Sequence, residues 1–221
     1  MKSVKAVIFD VYHTLLAVEP GPVDAAERWV DLWRDWLGTD PAQSLSQFDQ
    51  ACRELVTADH ARRKAEGTLQ PEVDWREIAR LAAPVLSKLT KSRMDGFLFG
   101  HAGLQRTTCA MPGAADFLER LRSGGIPAGI ASNAQRYTLD EMSSAGIPPS
   151  AFAEGLCFWS FEQGFSKPDP AVFAWLTQRL AARGIFPEET LMIGDRWDND
   201  VAPARAAGWQ TWHFQGIWPE I

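Results

Sequence analysis

Four short stretches hold most of the side chains that could do chemistry in this 221-residue chain. Asp10 ends the apolar run Val7-Ile8-Phe9, and Tyr12, His13 and Thr14 follow it. Ser132 and Asn133 follow the run Ala128-Gly129-Ile130-Ala131. Lys167 stands between Ser166 and Pro168, which restrains its backbone to an extended form. Asp195, Asp198 and Asp200 crowd one short segment after Thr190-Leu191-Met192-Ile193-Gly194. A carboxylate facing a lysine and further acids suits an aspartyl nucleophile working beside a metal ion.

Taken singly, each fragment has an ordinary structural reading. An aspartate at a strand end is a common turn residue. Ser132, Asn133 and Thr14 each suit a helix N-cap, and a lone lysine is usually a solvated surface group. Their joint order changes the balance. Three of the four adjoin apolar runs that read as buried strands, and open parallel sheets bind ligands at the C-terminal ends of their strands. On this reading Asp10 is the nucleophile. Ser132, Asn133 and Thr14 hold anionic oxygens or support the loop, and Lys167 neutralises the nucleophile and the substrate anion. Three close acids repel unless a cation compensates. Mg2+ takes one or two carboxylates, with waters and substrate oxygens filling its shell. Asp10, Asp195 and the Tyr12 backbone carbonyl are expected as direct ligands, with Asp200 acting through water or as an outer partner. A capped helix start would explain Asp198 well and Asp195 poorly.

The elements that must position these groups follow from the hydrophobic pattern. Residues 5–9, 127–131, 156–160, 190–193 and 209–214 read as strands. Residues 114–122, 136–145, 170–183 and 199–207 read as helices between them. This alternation implies a parallel sheet covered on both faces, an α/β doubly wound (Rossmann-like) core over residues 1–16 and 101–221. Residues 17–100 show helical periodicity and no convincing strand, so they read as an all-helical cap domain inserted after the first strand. Asp24 is the expected N-cap of its first helix, which Gly38 stops. Asp40-Pro41 is the expected start of the second, which Gly67 closes. Asp74 caps the third, with Trp75, Ile78, Leu81, Val85 and Leu89 inward and Pro84 splitting or kinking it. Trp36, Arg34, His60 and Arg62 are the cap side chains expected near the cleft.

Bulk properties narrow the class. Hydrophobic residues make up 46% and charged residues 23%, an ordinary globular balance. The net charge of −6 argues against a nucleic-acid partner. Cys52, Cys109 and Cys157 are odd in number and form no C-x-x-C pair. Reduced thiols and a cytoplasmic location are therefore expected. The apolar run before Asp10 is too short for a signal peptide or a membrane span. The expected partner is a small anionic molecule. An oligomer is possible, but nothing in the sequence supports one. Five of the ten tryptophans, Trp29, Trp33, Trp36, Trp75 and Trp175, fall in predicted helices and read as packing residues.

In this order and spacing the four fragments resemble the haloacid dehalogenase superfamily, at residues 5–16, 128–134, 162–173 and 190–208. A helical insertion between the first two resembles that superfamily's type-one cap. The resemblance implies catalysis through Asp10, substrate binding by Ser132 and Lys167, and Mg2+ organised by Asp195 and Asp200. Phosphatases of the superfamily usually carry a second aspartate where this chain has Tyr12. Tyrosine, with a reference pKa of about 10, can donate a proton but is a poor base near neutrality. Tyr12 and the Trp197-Asp198 pair resemble the metal-independent 2-haloacid dehalogenases, which however carry Ser-Asn in place of Gly194-Asp195. The implied function is a Mg-dependent phosphatase on a small phosphorylated metabolite. A 2-haloacid dehalogenase and a catalytically impaired binding or regulatory protein are the alternatives.

Overall fold

In the computed structural model, which describes residues 3–221, seven strands follow one another along the chain. They are β1 (Ala6–Phe9), β2 (Leu16–Pro20), β3 (Arg106–Ala110), β4 (Ala128–Ser132), β5 (Cys157–Trp159), β6 (Thr190–Gly194) and β7 (Gln210–His213). The first two residues of the expected core lie outside the described chain. Five of these strands form one sheet in the order β5-β4-β1-β6-β7, and every neighbouring pair is parallel. The chain builds outward from β1 to β5, then returns to add β6 and β7 on the other side. The reversal falls beside the end of β1, the position at which such sheets open a ligand crevice.

Helices α1 (Ala25–Leu37), α2 (Leu45–Ala65), α3 (Trp75–Ala82) and α4 (Lys91–Gln105) lie between β2 and β3. Helices α5 (Ala114–Ser123), α6 (Thr138–Ser144), α7 (Ser160–Gln163), α8 (Pro170–Ala181) and α9 (Ala202–Ala206) alternate with the later strands. Side chains of β1 point alternately to the two sheet faces, as a pleated strand requires. Val7 and Phe9 pack with Phe117 and Leu121 of α5 and Met142 of α6. Ala6 and Ile8 pack with Val172, Phe173 and Leu176 of α8 and Ala204 of α9. Both faces of the sheet are covered, which is why its central strands read as unbroken apolar runs. A third cluster has Trp29, Trp33, Phe48, Cys52, Ile78, Leu86 and Phe97 among its buried residues, all from between β2 and β3, and Tyr137 packs against it from the core.

Several local expectations change. A two-stranded antiparallel ribbon pairs β2 with β3, Leu16 opposite Ala110 and Pro20 opposite Arg106. The sequence does not announce it, because Arg106-Thr107-Thr108-Cys109-Ala110 has no apolar run and alternates between half-buried and exposed. Helix α4 passes through residue 100, the expected end of the insertion. Its Gly96 and Gly100 lower helix propensity. They are there for packing: an added Cβ would lie 2.2 Å from the Trp36 ring at Gly96 and 2.5 Å from Leu32 at Gly100. The second helix starts at Leu45, not at Pro41. Ser44 and Gln47 form a reciprocal capping box there, while Asp40 is taken by the Arg34 guanidinium at 2.6 Å. In α1, where the pattern puts Ala26, Val30, Trp33 and Leu37 on one face, Ala26 is exposed and Trp29 takes the buried position with Trp33. In α3 the expected inward Leu81 is 64% exposed. Asp74 caps α3 as expected, and a separate 3₁₀ turn begins at Pro84.

Gly129 in β4 sits where two strands close in. A Cβ there would lie 2.4 Å from the Leu156 carbonyl oxygen and 2.7 Å from Ile8. Gly129→Ala is therefore expected to destabilise the fold by about 1–3 kcal/mol through overpacking, read from urea unfolding at pH 7. An unchanged midpoint would refute this packing.

Candidate active site

The end of β1 delivers Asp10 to the crevice, and the Asp10 amide is fixed by a 2.9 Å hydrogen bond to the Ile193 carbonyl of β6. The Lys167 ammonium donates to Asp10 Oδ1 at 2.7 Å and to Asp200 Oδ1 at 2.5 Å. Lys167 and Asp200 side chains are each 1% exposed, whereas Asp10 keeps 13%. Burial opposes the charged ammonium, but the two carboxylates outweigh it and hold the Lys167 pKa above its ordinary value. Burial raises the Asp10 carboxyl pKa to about 6, against the pull of Lys167. Asn133 clamps the lysine from behind. Its side-chain amide donates to the Lys167 carbonyl at 2.9 Å and accepts from the Lys167 amide at 2.8 Å.

Asp195 completes an acidic cluster. One oxygen from each of Asp10, Asp195 and Asp200 lies within 4.8 Å of the other two. Burial, then the neighbouring Asp200, raises the Asp195 pKa. Three carboxylates face one ammonium, and the excess negative charge suits a hard divalent cation with oxygen ligands. Gly194 is what lets Asp200 enter: a Cβ at residue 194 would lie 2.4 Å from Asp200 Oδ2. The same oxygen accepts from the Arg196 amide at 3.0 Å. Nearby, His213 Nε2 lies 2.7 Å from the Asp195 carbonyl, which steadies the loop.

A cleft of about 230 Å³ opens over these groups, lined by Asp10, Tyr12, His13, Asn133, Lys167, Asp195, Arg196, Asn199 and Asp200. Of the expected site residues, Asp10, Tyr12, Asn133, Lys167, Asp195 and Asp200 therefore converge on one cleft. Ser132 and Thr14 are fully buried, and neither hydroxyl has a hydrogen-bond partner among the described residues. A buried, unpaired hydroxyl costs about 1–3 kcal/mol, and neither side chain lines the cleft. Asn133 is committed to the lysine backbone rather than free to bind an anion. Trp36, Arg34 and Arg62 turn elsewhere. Trp36 packs at Gly96 under Arg93, Arg34 pairs with Asp40, and Arg62 pairs with Asp59 and Glu66. None of these, nor His60, lines this cleft.

The Tyr12 hydroxyl turns into a buried polar cluster. It donates to Glu141, lies 2.7 Å from Thr138 Oγ1, and accepts from Arg106 at 2.6 Å. Burial is the main cause that raises its pKa far above the ordinary tyrosine value. It is therefore not placed as a base, and its proton is already engaged. Arg106, Thr138 and Glu141 were not foreseen. Arg106 falls at the edge of the expected insertion, and nothing in the pattern of α6 marks Glu141 as buried. His13 and Arg196 also line the cleft. His13 holds a left-handed backbone (φ 59°), which places it at the turn between Asp10 and β2.

Residues 4–208 match the profile of the haloacid dehalogenase-like hydrolases. A phosphoserine phosphatase of Thermus thermophilus is 35% identical over 111 residues, which cover 49% of this chain and 42% of that protein. A ribulose-1,5-bisphosphate 5-phosphatase of Halopiger xanaduensis is 27% identical over 214 residues, 93% of this chain and 82% of that one. The match thus spans less than half the length of the first relative and most of the second. Among solved structures, a dehalogenase with an intermediate complex has the same fold. Its TM-score is 0.55 at 21% identity, over 96% of this chain and 84% of that one.

Removing the ammonium leaves buried carboxylates facing each other. Lys167→Met is expected to cost about 3–5 kcal/mol of stability at pH 7.5. The cost should shrink at pH 5, because the Asp10 pKa, already about 6 beside the lysine, rises further without it and the carboxyl protonates. Urea unfolding at the two pH values checks this, and an equal loss at both would refute it.

Proposed function

The chain belongs to the haloacid dehalogenase-like hydrolase family, and on that footing we propose that it is a magnesium-dependent phosphatase acting on a small phosphorylated metabolite. The observation that carries this reading is the convergence of Asp10, Asp195 and Asp200 oxygens within 4.8 Å beside the Lys167 ammonium. A bound Mg2+ would neutralise charge on the transferring phosphoryl group. Asp10 and Asp195 would hold it, with Asp200 close behind. The Tyr12 carbonyl is a further ligand in this proposal.

Asp10 is the nucleophile in this scheme. Its carboxylate oxygen forms a bond to phosphorus as the bond to the leaving alcohol oxygen breaks. Water then attacks the phosphorus of the acyl phosphate, releases inorganic phosphate and restores the Asp10 carboxylate. Lys167 holds Asp10 ionised for the attack and stabilises the phosphoryl oxygens. Asn133 keeps Lys167 in place. The Tyr12 hydroxyl, engaged by Glu141, leaves the leaving alkoxide to take its proton from water. Residues 17–100 act as a cap over the crevice. No described helix is long and apolar enough to cross a membrane, which fits an enzyme of small dissolved substrates.

Purified protein should release phosphate from a panel of small phosphoesters with Mg2+ and stop in EDTA. Chloride release from 2-chloropropionate in EDTA would instead establish the metal-independent dehalogenase, the reading that Tyr12 favours. Loss of both activities with retained Mg2+ binding would establish a binding protein.

Cation binding should also depend on pH with a defined sign. Asp10 carries a proton below pH of about 6, and the cation takes the ionised form. Binding therefore releases a proton at low pH, and affinity rises with pH until about 6 and then levels. Mg2+ at 100 times its pH 7.5 dissociation constant should stabilise the protein by about 2.7 kcal/mol at pH 7.5. The thermal shift should be clearly smaller at pH 5. A shift as large at pH 5 as at pH 7.5 would exclude Asp10 from the cation site.

A further inference from the structure

We propose that Tyr12 is a positioning residue: with Arg106 and Glu141 it latches the strand returning from the helical insertion to the loop that carries Asp10. The proposal rests on Asp10 as the working nucleophile, but the latch itself is a property of the free protein.

Three parts of the chain meet at this cluster. Tyr12 lies two residues beyond Asp10 in the turn that leads into β2. Arg106 is the first residue of β3 and directly follows α4, whose Met94, Phe97 and Leu98 belong to the core of the helical insertion. Thr138 and Glu141 lie on α6, whose Met142 packs on the sheet. Arg106 joins all three. It donates to the Tyr12 hydroxyl at 2.6 Å and from Nε to Glu141 Oε1 at 3.1 Å. Its guanidinium also lies 4.5 Å from the Tyr12 ring centre and 5.5 Å from that of Tyr137. The rigid fork of an arginine suits this combined stacking and hydrogen bonding. Glu141 is only 5% exposed, and its carboxylate oxygens are paired with Arg106 and the tyrosine hydroxyl.

The insertion is also tied to the other arm of the site. Its Glu72 amide donates to the Gly164 carbonyl at 3.0 Å, and the Ser166 amide donates to the Gln70 carbonyl at 2.9 Å. Arg63 donates to the same Gly164 carbonyl at 2.6 Å. This pairing abuts Lys167 as the Tyr12 cluster abuts Asp10. The helical insertion therefore sets the two loops whose side chains meet at 2.7 Å. Displacing the insertion must disturb Asp10 through Tyr12, and freeing Tyr12 must loosen β3.

The test uses Tyr12→Phe, Arg106→Met and the double variant in the full chain. Amide hydrogen exchange is measured without substrate over residues 11–16 and 106–110. Either single change should speed exchange in both segments. Unchanged exchange would overturn the latch, and this readout stands even if no phosphoester is turned over. Phosphate release per folded molecule is then followed for an aryl phosphate and an alkyl phosphate. The latch predicts that kcat falls by the same factor for both, about tenfold, the size of one hydrogen bond to a charged partner. It also predicts that the double variant is no slower than the slower single variant. A loss confined to stability, with kcat per folded molecule unchanged, would mean a merely structural cluster and overturn the proposal. A Tyr12→Phe loss much larger for the alkyl phosphate would make Tyr12 the proton donor and also overturn it. Should Arg106→Met not fold, Arg106→Lys takes its place: it keeps the charge, loses the fork and should show part of the same loss. No phosphate release by the unaltered protein, with faster exchange in the variants, would refute the phosphatase reading and leave the latch intact.

Discussion

Everything at the crevice depends on one ammonium group kept out of water. Burying a charge costs several kcal/mol unless partners repay it, so Lys167 is tenable only between Asp10 and Asp200. Those partners come from sequence positions far apart, and their meeting imposes conditions on each strand end. β1 and β6 must lie side by side in parallel, as their register shows. Residue 194 must lack a Cβ, because the Asp200 carboxylate occupies that space. The backbone at Lys167 must be held from the neighbouring strand, which Asn133 does with both ends of its amide.

The same ammonium leaves the site unbalanced. It satisfies Asp10 and Asp200, but Asp195 brings a third carboxylate within reach, with its own pKa raised by burial and by Asp200. Such a cluster is costly in water-poor surroundings and becomes favourable when a cation or an anionic substrate with its counter-ion enters. The fold carries its strain at the place where ligand binding would relieve it.

Much of this was legible in the residue order because it concerns strand ends. A fully buried parallel strand must be apolar, so β1, β4 and β6 stand out, and the first polar residue after each belongs at the crevice. The placing of Asp10 and Asp195 follows from that rule, whereas Lys167 reaches them from the segment before α8 and Asp200 from the turn beyond β6. The rest depended on packing that leaves no periodic trace. The β2–β3 ribbon is half exposed and polar. The glycines of α4 weaken its helical signal while admitting Trp36 and Leu32. Asn133 has the composition of an anion-binding residue, yet its amide serves a backbone segment over thirty residues away. Glu141 and Arg106 look like solvated charges until tertiary structure buries the first and half-buries the second against it.

Tyr12 marks the limit of reading chemistry from position. Its place after Asp10 suggests a proton donor, but the direction of its side chain is set by partners that the local sequence does not contain. Turning the hydroxyl toward the cleft would break its bonds to Glu141, Thr138 and Arg106 at once. The buried Glu141 carboxylate would lose a donor, at a cost of about 1–3 kcal/mol before any gain in catalysis. Burial also makes ionisation of the phenol unfavourable, so reversible proton transfer through it is slow work near neutral pH. With Tyr12 held by this cluster, the groups left facing the cleft beside the lysine ammonium are Asp10, Asp195 and Asp200.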